Sequence, residues 1–515
     1  MKNIGKAKEL LLIIILSLFV TGGIMLILIT PNSGWHPVDD HEFLMWTYLL
    51  RVNKVPLWDL ISEYNLGNLE SGRLRPLYLT MRGIFMYFLG DNIRLYYIWA
   101  FIKTTITFIL LYYMFREMGA GIIRSYAAVL ISMIGYQSCT WWKLGTHEIV
   151  TTLWFATGMI LMIRYLKTDR LSYAVTSIMS YLIMSLYKES FIVLIPFIIL
   201  YVIYFRFPGN TDLRSPQKLM PEIFHSVPVV YLITLAMIFV AEVSFILFVI
   251  GQDYLGESSG FGPITEGLTS DMKWIVIFGG LMSVIIISRD MEALKIWKEA
   301  ILLAAFILPQ FYLYRSTGIT ERYLLPFMIG FATFYIVLVP VHMDIGRVRL
   351  RIYYIAAGLM LLAHFRGVLI EGNYYRYRGI GTTNMLQTVK EISADKPDAK
   401  ILSCLYYEVG YTIYACDLLA GYDNVYEMTP IWETGSYDIH PVEYHHYIHY
   451  VSSQPEADDL NDFDVIVAYN QQDRHWEYHA YEYLGLEDSE YESGDCGTFT
   501  IYVRRDSGIE LGKYL

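Results

Sequence analysis

Long apolar runs of Ile, Leu, Phe, Val and Tyr recur through the first 370 residues, and several approach the length needed to cross a bilayer. No water-soluble core absorbs that many such runs from one chain. Composition agrees: 55% of the 515 residues are hydrophobic and only 17% charged, where soluble domains carry about 25% charged residues. The expected class is a polytopic, all-α integral membrane protein.

Hydropathy places about eleven spans, at 9–30, 94–115, 122–138, 148–166, 171–187, 190–207, 225–250, 273–288, 299–314, 323–341 and 352–368. The first follows Lys2, Lys6 and Lys8, and the segment after it lacks a small-x-small cleavage pattern, so it reads as a retained span. The stretch "PLYLTMRGIFMYFL" at 76–89 is apolar but short and holds Arg82; it reads as a helix lying at the membrane interface. With the N-terminus inside, alternate loops carry Arg116 and Arg124, then "RYLKTDR", then Arg206, Arg214 and Lys218. The next two hold Arg289, Lys295 and Lys298, then Arg347, Arg349 and Arg351. This positive-inside pattern leaves the loop 31–93, the Gly/Ser-rich loop 251–272 and the tail outside.

After residue 370 the pattern changes. "DAKILSCLYY", "DFDVIVAYN" and "CGTFTIYVRR" read as strands and "EVGYTIYACDLLA" as a helix, predicting a soluble α/β domain over 380–515. No glycine-rich phosphate loop follows either early strand, which assigns it no nucleotide. His440, His445, His446 and His449 lie in a Tyr-rich stretch without fixed cysteine or carboxylate partners and read as a solvated loop. The four cysteines, Cys139, Cys404, Cys416 and Cys496, are too few for a disulfide scaffold, although the tail has room for one bond. The formal charge of −11 and the lack of a basic patch exclude a nucleic-acid partner.

Polar residues at the outer span ends need an account. Asp39 and Asp40 stand in "VDDHEF" just after the first span, and a carboxylate there can accept a proton from an attacking hydroxyl. Arg73 and Arg75 precede the interfacial stretch, where guanidinium anchors to headgroups or pairs with phosphate. His147 and Glu148 open the fourth span behind Lys143 and two tryptophans. Lys188 and Glu189 interrupt two apolar runs with almost no loop between them, and charge at such a place calls for pairing or function. Glu321 and Arg322, behind Arg315, start a late span; Arg322 is placed to hold a phosphate and Glu321 to fix its orientation. The topology sets all these groups on one outer face.

The ordered motifs "VDDHEF", "SGRLRPLY", "THEIV", "YKESFIVLIPF" and "ERYLLPF" resemble the GT-C superfamily of polyprenyl-phosphate-dependent membrane glycosyltransferases over residues 1–370. The protein O-mannosyltransferases and aminoarabinose transferases are the most similar branches. The resemblance implies inverting transfer of a sugar from a polyprenyl-phosphate-linked donor to a glycan, lipid or protein acceptor. Asp39, Asp40 and Glu148 would be catalytic. Arg73, Arg75, Lys188 and Arg322 would bind the carrier phosphate, with His147, Glu189 and Glu321 in support. Some members use a divalent metal and others do not, so metal dependence stays open. The chain departs from the usual pattern in its "DD", where several relatives have Asp-Glu, and in "YKES", which lacks a Thr-Lys-Gly form. It is expected in a bacterial or archaeal cell membrane among membrane lipids, N-terminus cytoplasmic and C-terminal domain extracytoplasmic. A polysaccharide polymerase or ligase is the nearest alternative, and a membrane transporter the next.

Overall fold

The structure, a computed structural model, describes residues 5–28, 34–36, 40–51, 54–70, 73–206, 228–250, 268–287, 297–314, 318–342, 347–405, 424–431, 436–441, 463–470 and 490–515. Asp39, Arg315, Cys416, His445, His446, His449, the expected tail helix and most of the loop 251–272 lie outside these residues.

The chain opens with α1 (Lys6–Leu28), followed by three short helices, α2 (His41–Arg51), α3 (Leu57–Glu70) and α4 (Pro76–Leu89). α4 coincides with the expected interfacial stretch. Pro76 opens it, where a missing N–H costs nothing, and its 14 residues extend only about 21 Å, too short to span. The bundle continues with α5 (Ile93–Glu117), α6 (Ile122–Met133), the one-turn α7 (Cys139–Trp142), α8 (Glu148–Thr168), α9 (Leu171–Tyr187) and α10 (Ile195–Arg206). Then come α11 (Val229–Phe245), α12 (Lys273–Ile287), α13 (Trp297–Leu313), α14 (Leu324–Ala332) and α15 (Arg347–Asp395).

Seven helical stretches among the described residues are long and apolar enough to cross a membrane. Helices also fill the other four expected stretches, but α6, α9, α12 and α13 have 12, 17, 15 and 17 residues. A spanning helix needs about 17–25 residues, so α9 and α13 stand at the lower limit and α6 lies below it, while residues outside the described set adjoin α12 and α13. The chain is therefore a membrane protein with seven stretches among the described residues that are long and apolar enough to span, and the expected count of eleven is not confirmed. The last expected span, 352–368, is the first part of the 49-residue α15, which runs on because no proline follows until Pro397.

Two packing features orient the bundle. α8 and α9 lie close because Gly158 leaves room for Tyr181; a Cβ there would meet the ring at 2.5 Å. The start of α8 and the end of α9 thus share one end of the bundle. At the opposite end, Arg116 pairs with Glu9 at 2.8 Å, Arg164 and Lys167 with Glu117 at 3.0 and 2.7 Å, and Arg206 with Asp169 at 2.7 Å. Arg116, Arg164, Lys167 and Arg206, four of the cations expected in inside loops, therefore gather at this end, and Arg214, Lys218, Arg289 and Lys295 lie outside the described residues.

α15 carries the chain into a six-stranded sheet of order β3-β2-β1-β4-β6-β5, made of β1 (Ile401–Ser403), β2 (Val425–Ile431), β3 (Ser436–Pro441), β4 (Val465–Tyr469), β5 (Tyr491–Asp495) and β6 (Phe499–Arg504). β1 pairs parallel with β2 and β4, and the remaining pairs are antiparallel. Central β1 and β4 are buried on both faces, which explains their unbroken apolar runs, whereas β6 alternates. His440 belongs to β3 rather than to a loop. Cys404 and Cys496 are free thiols.

α15 meets the sheet at Gly381, where a Cβ would stand 2.6 Å from the Thr498 backbone nitrogen and 2.8 Å from the Cys496 carbonyl oxygen. Gly381→Val has to push backbone away from backbone. It is expected to cost about 1–3 kcal/mol and to expose the sheet to protease at concentrations that leave wild type intact, as limited proteolysis with thermal unfolding would record.

Candidate active site at one end of the bundle

Charged residues from separate segments converge where α8 begins and α9 ends. Lys188 follows α9 directly, and its ammonium donates to Oε1 of Glu148, the first residue of α8; both side chains are almost fully buried, at 4% and 1% exposure. Arg322 approaches the same oxygen, with Nε at 3.9 Å. The other oxygen, Oε2, accepts the His147 backbone N–H at 3.0 Å. A carboxylate at a helix start is also favoured by the helix dipole. Lys188 and Arg322 stand 5.2 and 5.3 Å from the Tyr323 ring centroid, so an aromatic face fixes both cations.

Asp40 is wholly buried on the adjoining first-loop segment. Its Oδ2 accepts the His36 backbone N–H at 3.0 Å and the Tyr375 hydroxyl at 3.1 Å, and its Oδ1 accepts the Gly145 N–H at 3.4 Å. Three segments distant in sequence therefore hold one carboxylate: the first loop, the 143–147 turn and α15. Tyr375 also stacks on His36, with ring centroids 4.4 Å apart and planes 3° apart.

Two further pairs brace the site. Arg75 binds Glu189 through two parallel hydrogen bonds, both 2.7 Å, with the acid buried. Lys143 donates to Glu321 at 2.5 Å. Glu321 was expected to orient Arg322; instead it faces the 143–147 turn, its backbone at φ +39°, a strained value for a residue with a Cβ. Arg73 is exposed, away from these pairs, and its backbone N–H bonds to the Asn68 carbonyl at 2.7 Å. Burial, with Lys188 and Arg75 nearby, holds the His147 imidazole well below its ordinary range, so the ring is neutral.

Protein donors hold the acids at the centre of the cluster, Glu148 and Asp40. Glu148 already faces an ammonium and a guanidinium, and Asp40 is taken up by N–H and O–H donors. Cys139, Glu321 and Glu371 bring ligand atoms within 4.8 Å of one another. Burial pushes the Cys139 thiol up, away from the thiolate a metal requires, and Lys143 already neutralises Glu321.

The structure thus joins Asp40, His147, Glu148, Lys188 and Arg322, and places Arg75, Glu189 and Glu321 around them. Three residues near the cluster are not among the expected site residues: Lys103, buried within α5, Tyr375, and Arg82, which served only to mark the interfacial stretch and which pairs with Glu42 and lies 4.4 Å from the Phe43 ring centroid. A cation inside an apolar window was a signal for Lys103 and Arg82; Tyr375 carried none.

Arg75 and Glu189 supply a direct energetic check. Glu189→Gln leaves the guanidinium half-paired in a dry site, and a double-mutant cycle with Arg75→Gln is expected to give a coupling of about 1–3 kcal/mol in thermal or denaturant unfolding. An exposed pair would give under about 1 kcal/mol.

No protein-family model and no curated protein matches the sequence. The fold is similar to two crystal structures of the Archaeoglobus fulgidus oligosaccharyltransferase. The apo form matches with TM-score 0.47 and 11% identity, covering 82% of this chain and 64% of that one. The form tethered through a disulfide bond to an acceptor peptide containing the NVT sequon matches with TM-score 0.45 and 13% identity, covering 80% of this chain and 63% of that one. This chain thus spans less than two thirds of the length of those it matches.

Proposed function

We propose that this protein is an inverting glycosyltransferase that moves a sugar from a polyprenyl-phosphate carrier to an acceptor hydroxyl at the outer membrane face. The observation that carries this reading is the convergence of Lys188 and Arg322 on buried Glu148, with Asp40 held beside the same turn. Cations gathered next to a fixed carboxylate suit transfer from a phosphate ester, whose leaving group carries negative charge.

The chemistry follows from the charges. An acceptor oxygen attacks the anomeric carbon, and its proton passes to a first-loop carboxylate, Asp40 or the adjacent Asp39. The bond from that carbon to the carrier phosphate breaks, and the electron pair leaves with the phosphate. This leaving group departs as a stable anion, so a strong general acid is unnecessary, and preorganised cations contribute most by stabilising its developing charge. Arg322 is the outer cation, 30% exposed, and Lys188 the inner one. Glu148 keeps both charged and aimed in a medium where isolated charge is costly. Arg75, locked to Glu189, shapes the rim.

The pairs Glu9–Arg116 and Glu117–Lys167 mark the other end of the bundle, and positive charge there argues for the cytoplasm on that side. The reacting cluster and the tail sheet then face outward.

Release of radiolabelled sugar from a polyprenyl-phosphate sugar by the purified protein tests this reading. Asp40→Asn is expected to lower kcat ~100-fold or more with donor KM nearly unchanged. Arg322→Gln is expected to raise donor KM ~10-fold or more through loss of a charge-assisted contact. Turnover unchanged in both folded variants would sink the assignment.

A further inference from the structure

Beyond the last expected span, α15 touches the first loop on one side and the tail sheet on the other. Against the first loop, backbone meets backbone at two glycines. A Cβ on Gly379 would stand 3.0 Å from the Gly34 nitrogen, and one on Gly34 would run into the Gly379 carbonyl oxygen. The Tyr97 hydroxyl of α5 donates to the Gly34 carbonyl at 2.9 Å and pins the same residue from the bundle. Against the sheet, the close contact is Gly381. Tyr375 lies about 9 Å along α15 from Gly381, on the helix that the sheet holds.

Tyr375 is 1% exposed, its ring lies parallel on His36, and its hydroxyl reaches Asp40, which is 0% exposed. Two donors meet on Oδ2 of Asp40, the His36 N–H at 3.0 Å and the Tyr375 O–H at 3.1 Å, while Oδ1 accepts the Gly145 N–H at the longer 3.4 Å. The two donors on Oδ2 differ in origin. The His36 N–H belongs to the same loop as the acid, whereas the hydroxyl comes from a helix 335 residues away. Its grip on Asp40 therefore depends on where α15 sits. A donor to a carboxylate favours the charged form, and more so where water is excluded. The oxygen that receives more donation is the weaker base, which leaves Oδ1 as the stronger one.

We propose that Tyr375 is a positioning residue whose hydroxyl holds Oδ2 of Asp40, presents Oδ1 to the acceptor and returns the carboxylate to its ionised form after each turnover. The tail is then part of the reacting apparatus, because the sheet fixes the helix that carries this hydroxyl. The assignment rests on the transferase reading in taking Asp40 as the base. In that reaction the acceptor oxygen bonds the anomeric carbon, its proton passes to Oδ1, and the phosphate leaves with the electron pair. Tyr97 and Lys103 of α5 also lie within the field of Asp40, and Tyr375→Phe leaves both in place.

The test reads Asp40 directly. In full-length protein in nanodiscs, the Asp40 carboxyl is the infrared band that Asp40→Asn removes, and titrating that band gives its proton affinity without turnover. Tyr375→Phe keeps the ring on His36 and deletes only the hydroxyl. It is expected to raise the titration midpoint by about one pH unit, ~10-fold in proton affinity. Gly34→Ala, which pushes the first loop off α15 and alters neither partner, is expected to move it in the same direction. With a polyprenyl-phosphate sugar as donor, Tyr375→Phe is expected to lower kcat ~10-fold and to leave donor KM unchanged. A folded Tyr375→Phe protein whose Asp40 titrates as in wild type overturns the proposal, even if its kcat falls, since a loss of packing alone would do that. A shifted midpoint in a chain whose wild type transfers no sugar would end the transferase reading and leave the hold of Tyr375 on Asp40 standing.

Discussion

The buried pair between Lys188 and Glu148 is the constraint on which the rest of this structure depends. Each charge alone would be prohibitive between apolar helices, and removing one partner of such a pair costs about 3–5 kcal/mol. The pair therefore ties the end of α9 to the start of α8, and Gly158 lets Tyr181 close the gap between those helices further along. Arg322 joins the same carboxylate and brings in the late span, while Arg75 and Glu189 attach the segment before α4 to the residue after Lys188. Asp40 then seats on Gly145, in the turn that precedes Glu148, and Tyr375 seals it from α15. Paired charges of this kind contribute less to stability than apolar packing of equal volume would. Their concentration at one end is better explained by chemistry than by folding.

Much of the fold was legible because bilayer crossing imposes a crude rule on sequence. Helices lie on all eleven apolar stretches, and α4 falls on 76–89, since Pro76 and Gly90 mark its ends in the sequence itself. Length was harder to read. An apolar run reports hydrocarbon contact or burial without distinguishing them, so α6 reads as a span though its helix has 12 residues. In the tail, β1, β4 and β6 declared themselves by apolar run or alternation. β5, "YESGD", pairs along an edge and has no such pattern, and β2 contains Pro430, which argues against a strand from sequence alone.

The site was legible as a set of positions and illegible as a set of partners. Span ends that carry Asp, Glu, Lys and Arg stand out against hydrophobic flanks, so Asp40, Glu148, Lys188 and Arg322 could be named from position. Which cation meets which acid depends on helix rotation and loop path, and no local pattern encodes either. Glu321 was matched with its neighbour Arg322, but it meets Lys143, 178 residues away. Glu189 finds Arg75, 114 residues away. Tyr375 was unreadable because one tyrosine among 44 carries no signal of what it touches.

The most direct measurement removes both charges of the central pair together. Glu148→Gln with Lys188→Met replaces a buried ion pair by groups of similar size, a change that is often neutral for stability. The purified double variant should unfold within a few degrees of wild type and transfer sugar from a radiolabelled polyprenyl-phosphate donor ~100-fold more slowly, the effect expected when preorganised charge is lost. A folded double variant that transfers sugar at the wild-type rate would show the pair to be structural and would contradict this account.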